Sequence, residues 1–377
     1  MMMAQLPQAH LRWTGQLALF LVFFLSLAEG LSGGKSPPLV VQQTSLVTGA
    51  NGYVGRAVVH SLLESSSSGK DIVCLVRAKR VAEEKEYWEK QNHATNGTPF
   101  TVRVLSYDML DGGTSLKAAL ESTKGPRCVY HVASVFGPTD DHKQTALDNV
   151  QGTEELIRAI AAVDKTCKLV LTSSMAAVRG PGQVPSNSKH YTSDDWNTGS
   201  VLGANWGASY QWSKAESERR AWELCKELGI PMVSLCPSFI FGPPNSDSSV
   251  SYSLTLVKEW IHGKSSVQSR LFVDVRDVAQ AHVAAGTLPQ AVGQRFIAST
   301  EARVSSQEIA GWFQSVCRET ELADPEKIHF DADFQGGYIP IGQREVEASD
   351  RLRDELGVTL RSVKSTMMDM ADVLLKR

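Results

Sequence analysis

Residues 48–55 read Thr-Gly-Ala-Asn-Gly-Tyr-Val-Gly, and no other stretch restricts the fold of this chain so strongly. Ser45-Leu46-Val47 before it is a short apolar run of strand type. Val54, Val58 and Leu62 after it recur at helical spacing. A strand therefore passes directly into a helix through a turn built on glycine. Gly49, Gly52 and Gly55 permit a tight turn, close approach of the backbone to a diphosphate, and close packing of helix on strand. The N-terminus of that helix presents unsatisfied N–H groups and the positive end of its dipole to an anion. With Asn51, Tyr53 and Val54, residues 49–55 form a candidate dinucleotide-binding loop.

The rest of the chain repeats the alternation. Apolar runs at 72–76, 102–105, 128–132, 169–171 and 232–236 predict strands, and the spacing predicts helices over 81–92, 151–163 and 210–228. Continuous apolar strands alternating with helices imply a parallel sheet covered on both faces. The expected architecture is α/β, a Rossmann-type doubly wound parallel sheet with a smaller C-terminal substrate-binding lobe. We place the dinucleotide domain over 39–245, with a strand and helix near 271–300 returning to it, and the lobe mainly over 246–377. Residues 65–69 and 96–99 read as loops. The Gly-, Pro-, Ser- and Asn-rich stretch 179–207 is long enough to be functional or mobile. Ser305-Ser306-Gln307-Glu308 is a capping box opening a helix, and 362–375 reads as the last one.

Composition closes off several functions. Lys and Arg number 38 against 41 Asp and Glu, a formal net charge of -3, so no basic excess exists to hold a nucleic acid. The six cysteines are scattered without a Cys-x-x-Cys pair and read as buried, reduced thiols. No His, Cys, Asp or Glu cluster has metal-ligand spacing, so no metal is expected. Residues 17–28 are almost unbroken apolar sequence, preceded by His10 and Arg12 and closing on small residues at Ala28 and Gly30. That length suits the core of a secretory signal better than a bilayer span, which needs about 20 residues. The expectation is a protein of the secretory pathway, endomembranes or a plastid-type organelle, with membrane association through 17–28 as the alternative. If the segment is unused, the protein is cytoplasmic. Residues 30–38 read as a flexible linker.

Three further places carry chemistry. The second strand ends in Arg77-Ala78-Lys79-Arg80, with no carboxylate until Glu83. An NAD-binding site usually has an acid here for the ribose 2′-hydroxyl. Arg77 instead suits a 2′-phosphate, so NADP is expected in preference to NAD. Asp108-Met109 after the third strand offers a carboxylate and an N–H to an adenine edge. Tyr210 and Lys214 stand four apart and share one helical face. A phenol is a poor acid–base group near neutrality, and a neighbouring ammonium is expected to lower its pKa. Ser174, with Ser173 as the competing register, ends the fifth strand, where ligands of open parallel sheets bind.

Taken in order, TGANGYVG at 48–55, DM at 108–109, HVAS at 131–134, NVQGT at 149–153, LTSS at 171–174, YQWSK at 210–214, CPSFIFGP at 236–243 and VDVRDVAQAH at 273–282 resemble the extended short-chain dehydrogenases/reductases, the NAD-dependent epimerase/dehydratase superfamily. Arg77, the HVAS run and SKAESERRAWE at 213–223 make the dihydroflavonol reductase and cinnamoyl-CoA reductase branch the most similar. The resemblance implies catalysis by Ser174, Tyr210 and Lys214, with Tyr210 and Lys214 also touching cofactor. It puts Ala133 and Ser134 beside the nicotinamide ribose and Pro237, Ser238 and Ile240 beside the nicotinamide. Asn149 is expected to serve helix geometry or a water relay. His131 is read as structural or a loose cofactor contact, with a catalytic role as the alternative, Asp277 and His282 as structural, and Trp206 and Trp212 as ordinary packing or the wall of an aromatic pocket. Met175-Ala176-Ala177-Val178 lacks the Thr-acid pair of sugar dehydratases, and the Asn-Trp-Tyr-Cys run of true cinnamoyl-CoA reductases is absent. The expected activity is NADP-dependent interconversion of a small-molecule ketone or aldehyde with an alcohol. A 3β-hydroxysteroid dehydrogenase or sugar epimerase activity, and a non-catalytic NADP sensor, are the alternatives. A homodimer is left open.

Overall fold

The computed structural model describes residues 43–65, 71–94, 101–245, 251–331 and 340–377, all within one compact unit. The expectations for 17–28, 30–38 and 96–99, and all but Ser65 of the loop expected over 65–69, lie outside the described residues. No helix among the described residues is long and apolar enough to cross a membrane.

In chain order the elements are β1 Thr44–Thr48, α1 Tyr53–Glu64, β2 Asp71–Val76, α2 Val81–Ala94, β3 Thr101–Ser106, α3 Thr114–Glu121, β4 Arg127–His131 and α4 His142–Val163. They continue with β5 Lys168–Thr172, α5 Met175–Val178, α6 Trp206–Leu228, β6 Met232–Pro237, β7 Phe239–Phe241 and α7 Tyr252–Ile261. The chain closes with β8 Phe272–Asp274, α8 Val275–Thr287, β9 Arg295–Ala298, α9 Ser306–Thr320, α10 Asp350–Leu356 and α11 Val363–Leu375.

Seven strands form one sheet in the order β3-β2-β1-β4-β5-β6-β9, and every pairing in it is parallel. Successive side chains point to opposite faces. Leu46, Val73, Leu75, Val129, Leu169 and Leu171 enter one core with α3, α4 and α6. Val47, Cys74, Val76, Tyr130, Val170 and Val233 enter the other with α1 and α8. Because both faces are buried, the strands read as unbroken apolar runs rather than alternating ones. β9, from beyond residue 290, pairs with β6. β7 and β8 form a separate two-stranded parallel ribbon that the sequence reading missed, since three residues are too few to show a period.

Two long helices begin earlier than expected. α4 starts at His142, capped by Asp141, whose side chain accepts from Gln144 N–H at 2.8 Å. α6 starts at Trp206, with Asn205 accepting from Ala208 N–H at 2.9 Å. Ser305 and Glu308 make the expected reciprocal cap of α9.

One buried charge pair ties α1 to α2. Arg56 and Glu84 are both 1% exposed and joined by an ion pair. Trp88 Nε1 donates to Glu84 Oε1 at 2.9 Å, and the guanidinium lies 4.0 Å from the Tyr87 ring centroid. Removing one partner strands the other charge without compensation. Glu84→Ala is expected to cost about 3–5 kcal/mol in urea denaturation, far more than an exposed glutamate.

Candidate active site

The turn after β1 is drawn as tightly as its glycines allow. Gly49 has φ +65, and its N–H donates to the Leu75 carbonyl at 2.9 Å. A Cβ on Gly49 would stand 3.0 Å from Ala133 Cα, and one on Gly55 would stand 2.1 Å from the Gly49 carbonyl oxygen. Gly52 precedes the first turn of α1 in extended conformation. The Tyr53 hydroxyl donates to the Gly242 carbonyl at 2.7 Å, which commits that group to holding the turn.

Thr48, just upstream, shapes the other side of the cleft. Its hydroxyl oxygen accepts from the N–H groups of Val132 and Ala133, both at 3.1 Å, and meets His131 Nδ1 at 2.9 Å. Burial, then the charge of Lys214, pushes the His131 imidazole down to about 3, so it stays neutral. From α4, Asn149 accepts from Val135 N–H at 2.8 Å and donates to the Val135 carbonyl at 3.0 Å. These bonds fix Ala133 and Ser134, and they give His131 and Asn149 structural work.

A cleft of about 1290 Å³ runs across the carboxyl ends of the strands. It brings together every residue singled out for the site: residues 49 and 51–55, Arg77, Asp108, Met109, Ala133, Ser134, Ser174, Tyr210, Lys214, Pro237, Ser238 and Ile240 all line it. Arg77 and Lys79 are exposed at its rim, and Arg80 pairs with Glu83 at 2.8 Å. Asp108 Oδ1 accepts from Leu110 N–H at 3.0 Å, so part of that carboxylate holds its own turn.

Packing separates the two serine registers. Ser173 turns inward and donates to Glu218 Oε2 at 2.7 Å. Ser174 turns to the cleft, accepts from Ala176 N–H at 3.1 Å and stands beside the Tyr210 phenol. Lys214 Nζ donates to the Thr172 carbonyl at 3.1 Å and lies 6.0 Å from the Tyr210 ring centroid. Burial pushes the phenol up to about 12, opposed by the neighbouring Ser174 hydroxyl. Burial brings Lys214 down to about 8, opposed by Glu218 and Cys236. The phenol therefore stands above its ordinary value instead of below it, contrary to the expectation from the nearby ammonium, because desolvation dominates and Lys214 is not among the groups that displace it.

Sequence reasoning missed the far end of the cleft. Phe136, Trp206, Phe239 and Tyr252 wall it, with Phe136 centred 4.5 Å from the Tyr210 ring. Trp206 and Tyr252 stand 6.0 Å apart; Trp212 is not among the lining residues. Arg179, Arg270 and Arg303 line the same end, and Arg179 and Arg303 converge on buried Glu345. Only Trp206 carried a signal, through its nearness to Tyr210.

Comparison with known proteins agrees with this geometry. The model of the NAD dependent epimerase/dehydratase family matches residues 45–297. The chain belongs to that family. Within it, the chain is an extended short-chain dehydrogenase/reductase. It is 33% identical to cinnamoyl-CoA reductase 1 of Arabidopsis thaliana over 269 residues, 68% of this chain and 71% of the relative. It is 25% identical to the NADPH-dependent methylglyoxal reductase of Saccharomyces cerevisiae over 88% of this chain and 97% of the relative. The crystal structure of the yeast methylglyoxal/isovaleraldehyde reductase complexed with NADPH superposes with a TM-score of 0.71 at 24% identity, covering 88% of this chain and 98% of that one. UDP-glucuronic acid 4-epimerase from Bacillus cereus, complexed with NAD, shares the fold with a TM-score of 0.62 at 18% identity, covering 88% and 96%.

The glycine turn gives a direct check on the cleft. Gly55→Ala places a methyl against backbone that cannot yield without reshaping the turn. It is expected to weaken dinucleotide binding at least about tenfold, read by fluorescence titration, with the fold retained because only the loop moves.

Proposed function

We propose that this enzyme is an NADP-dependent reductase that interconverts a ketone or aldehyde with an alcohol. The observation that carries the reading is the gathering of the Ser174 hydroxyl, the Tyr210 phenol and the Lys214 ammonium on one cleft, with the ammonium 6.0 Å from the phenol ring centroid. The cleft fits a dinucleotide. A Cβ would fill the cradle at Gly55, and buried Ser238 Oγ on the cleft wall has no hydrogen-bond partner among the described residues.

In this reading residues 49–55 hold the diphosphate and Arg77 takes the 2′-phosphate. Asp108 and Met109 meet the adenine, Ala133 and Ser134 the nicotinamide ribose, and Pro237, Ser238 and Ile240 the nicotinamide. NADPH, when bound, supplies the hydride. Ser174 holds the substrate oxygen by a hydrogen bond. Tyr210, whose raised pKa keeps it protonated, donates its hydroxyl proton to that oxygen as negative charge develops there. Two donors preplaced on this oxygen favour the transition state over the ground state. Lys214 binds ribose hydroxyls and stabilises the phenolate left behind. The aromatic wall of Phe136, Trp206, Phe239 and Tyr252 suits a substrate with a flat apolar body. Residues 17–28 remain our proposed targeting segment.

Tyr210→Phe is expected to cut kcat at least about a hundredfold with NADPH affinity spared. A panel of aromatic and aliphatic aldehydes and ketones with purified protein provides the assay, and near-normal turnover refutes the role of Tyr210. Arg77→Ala is expected to weaken NADPH binding about tenfold or more while leaving NADH nearly unchanged, because the 2′-phosphate is the group that differs. Equal losses for the two nucleotides would remove Arg77 from cofactor selection.

A further inference from the structure

Beneath Ser174, Tyr210 and Lys214 lies a buried ion pair that the chemistry above does not use. Glu218 stands one helical turn beyond Lys214 on α6, and Arg295 comes from β9 at the edge of the sheet. They are 0% and 8% exposed. Arg295 Nε and Nη2 donate to the two Glu218 oxygens at 2.8 and 2.9 Å. The same carboxylate accepts from the Ser173 hydroxyl at 2.7 Å and the Ser234 hydroxyl at 2.5 Å.

The other donors of Arg295 reach outward. Nη1 donates to the carbonyls of Ser193 at 2.8 Å and Asp195 at 2.5 Å, and Nη2 to that of Ala177 at 3.3 Å. The guanidinium lies 4.0 Å from the centroid of the Trp196 ring. One pair therefore joins β5, β6, β9, α6 and the 179–207 loop. Burial pushes the Glu218 carboxyl up, but Arg295, Ser234 and Ser173 outweigh it and the net displacement is downward, so the group stays ionised.

Buried ion pairs contribute little net stability, because desolvation offsets their attraction. The geometry here points to a different role. Lys214 and Glu218 line one void of about 10 Å³, room for a single water. Lys214 is faced by Glu218 and Tyr210 from its own helix, His131 from β4 and Cys236 from β6, with Arg295 of β9 behind Glu218. His131 is neutral, and burial pushes the Cys236 thiol up to about 12, so it stays protonated. Glu218 is thus the full negative charge near this ammonium among the described residues.

We propose that Glu218, held in place by Arg295, is a positioning residue that keeps the buried Lys214 ammonium charged. The proposal rests on the reading of Ser174, Tyr210 and Lys214 as the reacting set. Without the carboxylate, burial alone would drive Lys214 toward the neutral amine. A neutral amine would stabilise neither a phenolate nor the cleft's polarity.

Carbon-13 NMR titration of lysine labelled at the ε-carbon reads this charge without substrate or cofactor, with Lys214 assigned by loss of its signal in Lys214→Arg. Glu218→Gln is expected to lower the Lys214 midpoint by about one pH unit or more, and Glu218→Asp to restore most of it. Arg295→Gln is expected to lower the midpoint too, because it frees the Glu218 carboxylate and removes the cation that keeps it ionised. Loosened packing would not be repaired by the shorter aspartate, so rescue in Glu218→Asp is the signature of the charge. An unchanged midpoint in folded Glu218→Gln overturns the proposal. If that variant does not fold, an unchanged or raised midpoint in Arg295→Gln overturns it. Retained turnover in Tyr210→Phe would instead defeat the reading of the site and leave the titration result standing.

Discussion

Everything at the cleft depends on the direction in which the strands run. In a wholly parallel sheet the carboxyl ends of all strands share one edge, and here the order reverses between β1 and β4. The helix that follows β1 packs on one face of the sheet, with α8. The helix that follows β4 packs on the other, with α6. The chain thus leaves the edge in opposite directions from adjacent strands, and a crevice opens between the departing segments. The glycine turn, the 131–134 run and the end of β5 border it because their strands are neighbours.

The chemistry of the site follows from how dry that crevice floor is. Burial penalises the charged form of every ionisable group, raising a phenol and lowering an amine. Tyr210 and Lys214 show both displacements. Desolvation alone would leave a neutral phenol beside a neutral amine. The Ser174 hydroxyl and the carboxylate of Glu218 work against that outcome from two sides. A protonated phenol suits the reducing direction, in which the group gives up its proton. The reverse direction asks the same phenol to accept one.

The substrate end is built differently from the cofactor end. Backbone and small residues make the cradle, whereas large side chains from scattered elements make the far wall. Arg179 and Arg303 hold Glu345 between the loop after α5 and the segment before α9. Loop 179–207 is pinned by Arg295 and by Arg219, which donates to the Asn197 carbonyl at 2.5 Å. Such segments vary on a fixed scaffold, so members of one family accept different substrates.

Local rules made much of the molecule legible in advance. A glycine turn between strand and helix, apolar runs of strand length, and Tyr210 and Lys214 on one helical face are all relations within a few residues, which periodicity encodes directly. The capping box at Ser305 is of the same kind, and Asn205 and Asp141 were equally available as caps of α6 and α4. What could not be read were relations across long stretches of chain. Ser173 and Ser174 differ only in which way each turns once β5 lies beside β6. Arg295 meets Glu218 only because β9 joins the sheet. Arg179, Arg270 and Arg303 converge through three separate loops. The pKa displacements needed burial, which depends on what packs overhead. Spacing along the chain determined the fold class and the candidate reacting groups; tertiary packing decided which serine faces the cleft and which charges stand behind it, because solvent exclusion and long-range contact have no signature in local sequence.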